Sequence, residues 1–222
     1  MVPIMDDAIG LLLSGGWFLV PIAIASVMAL ALFFDRVLYL RTDRIVPDEF
    51  AEAVRANVDD PAALRELCAS EATPAARVLH RGLIHAGGDR AEMRESMEDA
   101  GRFELRQMKR NTGALAAIAT VAPLLGLLGT VVGMISTFQA IVDSSAQGAS
   151  AVDVGQLAGG IWQALMTTAA GLVVAIPVII GHRFVYGRIE RLLGTIEDLA
   201  SRMLDHLTVS TAESPAPEGE SA

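Results

Sequence analysis

The stretch from Asn111 to Val142, NTGALAAIATVAPLLGLLGTVVGMISTFQAIV, decides the fold. It contains no charged residue, and at about 1.5 Å per residue a helix of this length reaches roughly 48 Å. The hydrocarbon core of a bilayer is about 30 Å thick, so the segment can cross it with length to spare. Gly126, Thr130, Gly133 and Thr137 recur at spacings of four, three and four, which sets small and hydroxyl-bearing residues on one helix face. Such a face can serve close helix packing in lipid, where small residues let backbones approach. It can equally line a pathway, with Thr130 and Thr137 as polar handles.

Two more blocks, Ala8–Phe34 and Val154–Gly181, are also uncharged and long enough to span. With 52% hydrophobic and 19% charged residues in 222, the composition is too apolar for an ordinary soluble domain. The chain is therefore expected to be an all-α, multi-pass membrane protein with three transmembrane helices. The single cysteine, Cys68, cannot form an internal disulfide and is read as a buried or neutral thiol. A formal charge of −9 gives no sign of nucleic-acid binding.

All 17 Lys and Arg lie in Asp35–Arg110 or Arg183–Arg202, and none lies in Met1–Phe34 or Asp143–Asp153. By the positive-inside rule the N-terminus is outside, and the middle segment and C-terminus are cytoplasmic. The expected organisation is a short outer segment over 1–15 and a first span over 16–34, followed by a cytoplasmic helical domain over 35–111. A second span over 112–142 then leads through an outer loop over 143–153 into a third over 154–181. A cytoplasmic helical extension over 182–207 and a disordered tail over 208–222 complete the chain. The first block carries Asp6 and Asp7 rather than a basic leader and is too long for a signal h-region. Pro21 within it is tolerable where neighbouring helices relieve its missing hydrogen bond.

In the middle segment, Pro47, Pro61 and Thr73-Pro74 mark helix starts, and Asp89 is an N-cap. No proline or glycine pair interrupts the chain from Asp89 to Val142, so one continuous helix is expected there. His80 and His85 have no Cys or carboxylate at ligand spacing, and no metal is expected. After His182, Val185, Ile189, Leu192, Ile196, Leu199 and Met203 form a heptad-like seam. That seam is expected to pack helices side by side and to hold an oligomeric ring together.

The third span carries a stripe of its own. Gln156, Gly160, Gln163, Thr167 and Gly171 fall on one face, with Thr168 about 100° round from Thr167. These amides and hydroxyls can satisfy one another or the backbone, or line a cavity together with the second span. Gly126, Gly133, Gly160 and Gly171 are the candidate packing residues. Thr130, Thr137, Gln156, Gln163, Thr167 and Thr168 are the candidate pathway lining.

No Asp, Glu, Lys or Arg lies within the three spans. Threonine and glutamine hydrogen-bond ions and water but do not titrate near neutral pH. A membrane proton relay normally needs an ionisable group at depth, so a titrating group would have to come from another polypeptide. Ser26, Ser136 and His182 have no triad-like context, and an enzyme is not expected.

GGWFLVPIAIASVMALALFFDRVLYLR, APLLGLLGTVVGMISTF and GIWQALMTTAAGLVVAIP, in this order and with three spans, resemble the ExbB/TolQ family of bacterial proton-channel subunits. The likeness runs to about Leu207. Flagellar stator subunits of the MotA type are related but have four spans. The resemblance implies a bacterial inner-membrane energy transducer without a cofactor, a homopentameric ring around two transmembrane helices of an ExbD- or TolR-like partner. That partner supplies the Asp that loads and unloads protons, and its periplasmic part works on a TonB-like or other effector to energise outer-membrane transport or envelope maintenance. Proton rather than sodium follows from the resemblance alone. By motif, Thr130 and Thr168 would face the pore and hydrate the partner's Asp. Many members carry Glu where this chain has Gln163, and an amide neither holds a charge nor releases a proton. A structural scaffold without ion flux, whose stripes only pack, is the competing expectation.

Overall fold

Short polar side chains and prolines open most of the helices. Asp60 caps the helix beginning at Pro61 by accepting from the Ala62 and Ala63 amides, Thr73 caps the next by accepting from Ala76, and Asp89 accepts from Ala91. Each such cap is worth about 1 kcal/mol. The computed structural model describes residues 17–146 and 154–212, and no strand occurs among them. The elements in order are α1 (Leu19–Tyr39), α2 (Thr42–Ile45), α3 (Asp48–Ala56), α4 (Pro61–Ser70), α5 (Pro74–Ile84), α6 (Arg90–Met108), α7 (Thr112–Ala146) and α8 (Val154–Ala212). The outer segment over 1–15, most of the outer loop and the tail beyond 212 lie outside the described residues.

Among the described residues three helices are long and apolar enough to cross a membrane: α1, α7 and the Val154–Leu207 part of α8. Pro21 falls in the first turn of α1, where its missing amide proton would have had no intrahelical partner. No neighbouring helix is needed to relieve it. The loop expected from Asp143 is entered later, because α7 runs on to Ala146. Helix α8 likewise extends through Ala212, past the expected start of the tail.

The expected continuous helix from Asp89 to Val142 is broken. Helix α6 ends at Met108, Asn111 takes φ 64°, and α7 starts at Thr112. Asn is one of the few non-glycine residues that enter the left-handed region readily. Its carbonyl then accepts the Leu115 amide at 3.3 Å and so opens the new helix.

The chain divides into two units, one comprising residues 17–35, 111–146 and 154–184, the other 36–110 and 185–212. In the first, small residues make the contacts: Ala29, Ala119, Ala122, Ala164 and Ala175 are buried. The Phe33 ring lies over Gly181, where an added Cβ would sit 2.9 Å from the ring. Leu19, Ile22 and Leu115 are also buried, but many large side chains of this unit, Leu124, Ile135, Phe138, Leu165, Val173 and Ile180 among them, are exposed. Such an apolar exterior suits lipid or another membrane helix.

The second unit has a conventional core. Helix α5 packs on α4 and α6, and the seam residues Val185, Ile189, Leu192, Ile196, Leu199 and Met203 are all buried. Because that burial exists within a single chain, the seam closes this unit's own core. It is not an open face awaiting another copy, and the expectation that it holds a ring together is corrected accordingly. The buried Nδ1 of His80 has no hydrogen-bond partner, but Arg77 and Arg188 find theirs. Arg77 grips the buried Glu104 with two hydrogen bonds of 2.7 and 2.9 Å, and this bonding raises the guanidinium pKa. Arg188 donates to the Leu40 carbonyl at 2.7 Å and so satisfies the C-terminal end of α1.

Candidate functional site

Helices α7 and α8 meet backbone to backbone along their small residues. A Cβ at Gly126 would lie 2.8 Å from the Thr167 carbonyl oxygen and 3.0 Å from the Thr168 Cα. One at Gly171 would lie 2.7 Å from the Ala122 carbonyl oxygen, and one at Gly133 would lie 3.1 Å from the Ala164 Cβ. A Cβ at Gly160 would overlap the Thr137 hydroxyl. At Gly126 and Gly171 an added side chain would strike the main chain of the facing helix, as in other close crossings of membrane helices, while at Gly160 the obstacle is the Thr137 side chain. Gly129 and Ala164 belong to the same contact: a Cβ at Gly129 would lie 2.6 Å from Thr167 Oγ1. Neither stood out in the sequence, although Gly129 lies three residues from Gly126 and four from Gly133, the spacing that defines the face.

The hydroxyls divide into two groups. Thr167, 2% exposed, and Thr137, 8% exposed, are enclosed by the helix pair. Thr167 Oγ1 lies 2.7 Å from the Ala164 carbonyl of its own helix and 3.2 Å from that of Gly126 on α7. Its single proton serves one acceptor at a time. Thr137 donates to Gly133 at 2.8 Å. Thr168 and Thr130 are partly open. Thr168 donates across the pair to the Gly126 carbonyl at 3.1 Å, whereas Thr130 donates back to Leu127 on its own helix at 2.6 Å. The structure thus gathers Thr167 and Thr168 around Gly126, and Thr137 against Gly160. Thr130 lies about 50° round the helix from the centre of that face. Gln156 and Gln163 are exposed, on the outside of α8.

All four threonines donate to backbone carbonyls, the habit of hydroxyls in membrane helices. Each retains lone pairs that can accept a hydrogen bond. Among the described residues no group of three metal-ligating side chains occurs, and His80 and His85 join none.

A family model described as the MotA/TolQ/ExbB proton channel family matches residues 70–198. A protein of Synechocystis sp. named as a biopolymer transport protein, ExbB-like 3, is 35% identical over 173 residues, 76% of this chain and 80% of the relative. An ExbB homolog of Methanothermobacter thermautotrophicus is 32% identical over 187 residues, 83% of this chain and 64% of the relative. The Tol-Pal system protein TolQ of Haemophilus influenzae is 32% identical over 113 residues, 51% of this chain and 46% of the relative. The match over residues 70–198 takes in α7, the glycine-to-backbone crossing and the threonines of α8, and the chain belongs to the MotA/TolQ/ExbB proton channel family.

Proposed function

We propose that this protein is an ExbB-like proton-channel subunit of an inner-membrane motor, converting proton motive force into work on the far side of the membrane. One observation carries the proposal: the spans 16–34, 112–142 and 154–181 offer hydroxyls and amides but hold no Asp, Glu, His, Lys or Arg that could load and release a proton. The complement is a single-span ExbD- or TolR-like partner contributing a carboxyl, with five copies of this chain in a ring around a pair of such spans. The N-terminus faces the periplasm, and the second unit, with the C-terminal part of α8, lies in the cytoplasm. Outer-membrane transport is the favoured task, through a TonB-like effector.

Thr130 and Thr168 are assigned to the pathway, because they are the two threonines left partly open. Their hydrogen bonds suggest how they work. While each hydroxyl donates to a backbone carbonyl, its lone pairs can accept the O–H of a protonated carboxyl. Once that carboxyl ionises, the hydroxyl turns and donates to it instead. An unpaired charge in the hydrocarbon costs at least about 2.5–3.5 kcal/mol, so this exchange lowers the barrier to turnover. The enclosed Thr137 and Thr167 have less room to turn and serve the helix contact first. Gln156 and Gln163 offer hydrogen bonding without charge toward the mouth of the pathway.

The test is flux in liposomes holding this chain together with its partner. Thr130→Val and Thr168→Val should abolish proton uptake and leave the assembly intact. Wild-type flux in either variant removes that residue from the pathway. The burial of Thr137 and Thr167 in the α7–α8 contact favours a second reading, a scaffold whose stripes only pack. That reading requires every threonine-to-valine change to be silent in flux.

A further inference from the structure

Helices α7 and α8 run antiparallel: Gly133 faces Ala164, Gly129 faces Thr167, and Gly171 faces Ala122. Thr130 lies about 50° round α7 from the centre of that contact, in the sense in which α7 advances. Thr168 lies about 70° round α8 from the centre set by Gly160, Ala164, Thr167 and Gly171, in the sense in which α8 advances. Because the two chains run oppositely, equal senses bring both threonines to the same side of the pair. Gly181 lies about 70° to the other side of the α8 centre, and there the Phe33 ring of α1 covers it. At that level α1 packs on the far side of the pair and leaves the threonine side to something else.

Toward the cytoplasm the threonine side ends in a polar residue on each helix. The register of the glycine contacts, continued downward, brings Thr112 level with His182. Thr112 is 7% exposed and lies on the line of Thr130, five full turns before it. His182 lies about 30° from the α8 centre, on the Thr168 side, and about 21 Å below Thr168 along one helix that continues through Pro177. It is half-buried. It is also the first ionisable side chain that α8 offers, since residues 154–181 hold none. The other charged groups at this end of the unit are Asp35, which ends its α1 segment, and Arg183, next on α8. Helix α7 brings none from Thr112 to Val142, with Lys109 and Arg110 preceding it in the sequence.

We propose that His182 hands the proton between the pathway and cytoplasmic water. An imidazole has two ring nitrogens and can take a proton on one while giving up the proton on the other, so the ring ends neutral and only a proton has moved. Histidine is the side chain type that ordinarily changes charge between pH 5 and 8, which suits it to a rim where protons are exchanged with the cytoplasm. Water on the open side bridges the distance from Thr168. This inference rests on the channel reading and adds to it a titrating group of the chain's own, outside the spans, beside the carboxyl that the partner supplies within them.

The experiment measures voltage-driven proton uptake by liposomes holding the full-length chain and its partner, with protein-free liposomes in the same buffer as the baseline. His182→Ala should slow uptake by at least about 10-fold, and imidazole in the buffer should restore it. His182→Gln, which keeps a hydrogen bond but carries no proton, should be as slow as His182→Ala. Imidazole should do nothing for Thr168→Val, whose defect lies elsewhere on the route. Wild-type uptake in His182→Ala or His182→Gln overturns the proposal, as does a loss in His182→Ala that imidazole leaves unchanged. Equal rescue of Thr168→Val overturns it too, and so does failure of both His182 variants to assemble, which would assign the residue to packing. Wild-type uptake that survives both His182 variants sinks this inference and leaves the channel reading standing. A wild-type complex that takes up no protons sinks the channel reading, and this inference with it.

Discussion

Replacing Gly126 by alanine adds a single methyl group where the main chains of α7 and α8 come close together. That carbon would start 2.8 Å from the Thr167 carbonyl oxygen, 3.0 Å from the Thr168 Cα and 3.3 Å from the Gly171 Cα. All three are main-chain atoms, so no side chain can swing aside. To restore ordinary contact distances near 3.4 Å the helices must separate by about 0.5 Å, and a gap of that size forfeits a quarter or more of each dispersion contact along the crossing. The Thr168 hydroxyl bond to Gly126, now 3.1 Å, stretches past its useful limit. Interhelical hydrogen bonds in membranes average about 0.6 kcal/mol, and overpacking costs about 1–3 kcal/mol. A loss of about 2 kcal/mol is expected. Gly113 is the control on the same helix, since a Cβ there meets nothing within 4 Å. Gly113→Ala should be neutral or stabilising by up to about 1 kcal/mol through helix propensity. Reversible unfolding in mixed micelles, titrated with a denaturing detergent, reads both. A Gly126→Ala protein as stable as its Gly113→Ala counterpart would mean that the glycines are not there for backbone approach.

Ile189→Glu sets a carboxylate at a fully buried position of the second unit's core. It should unfold that unit, at a cost above about 4 kcal/mol, rather than yield a well-folded smaller oligomer. Limited proteolysis of proteoliposomes should cut the variant within residues 36–110 while the apolar helices stay protected. Burial pushes the Cys68 thiol up to about 11 from its ordinary 9.0. At pH 8 iodoacetamide should therefore label the folded protein at least about 100-fold more slowly than the denatured chain. The sign follows from the raised value: the stabilisation from keeping this thiol neutral is complete below pH 9 and is lost as pH climbs toward 11. Unfolding midpoints at pH 8 and 10.5 should fall in that order, and Cys68→Ala should lessen the fall. The threonine-to-valine pair described above completes the set.

What could be read in advance follows the range of the interaction. The helix starts at Pro61 and Thr73-Pro74 and the cap at Asp89 depend on neighbouring residues, so their letters and spacing sufficed, although the capping role of Asp60 itself was not read. The three apolar helices were legible from length and lack of charge alone. The turn at Asn111 was not, because helix breaks were sought at proline and glycine while an asparagine took the left-handed conformation. The seam shows a related limit. Periodicity identified Val185 to Met203 as an apolar face, but only the fold says that the same chain covers it. For the stripes, spacing could not separate Thr167 and Thr137, enclosed by the helix pair, from Thr168 and Thr130, left partly open. Thr130 and Thr137 share one stripe, and Thr168 is a turn-mate of Thr167 about 100° off the other, so enclosure is decided by how closely α7 and α8 approach.

Helix α8 runs without a break from Val154 to Ala212, while the α6–α7 connection turns at Asn111. Insertions and deletions should therefore fare very differently at the two places. One extra codon near Gly187 would rotate every later side chain by about 100° and swing Ile189 through Met203 out of their core. The same codon beside Asn111 has a non-helical link in which to be absorbed. Lineages of this chain should vary in length at the second address and hold strict register at the first.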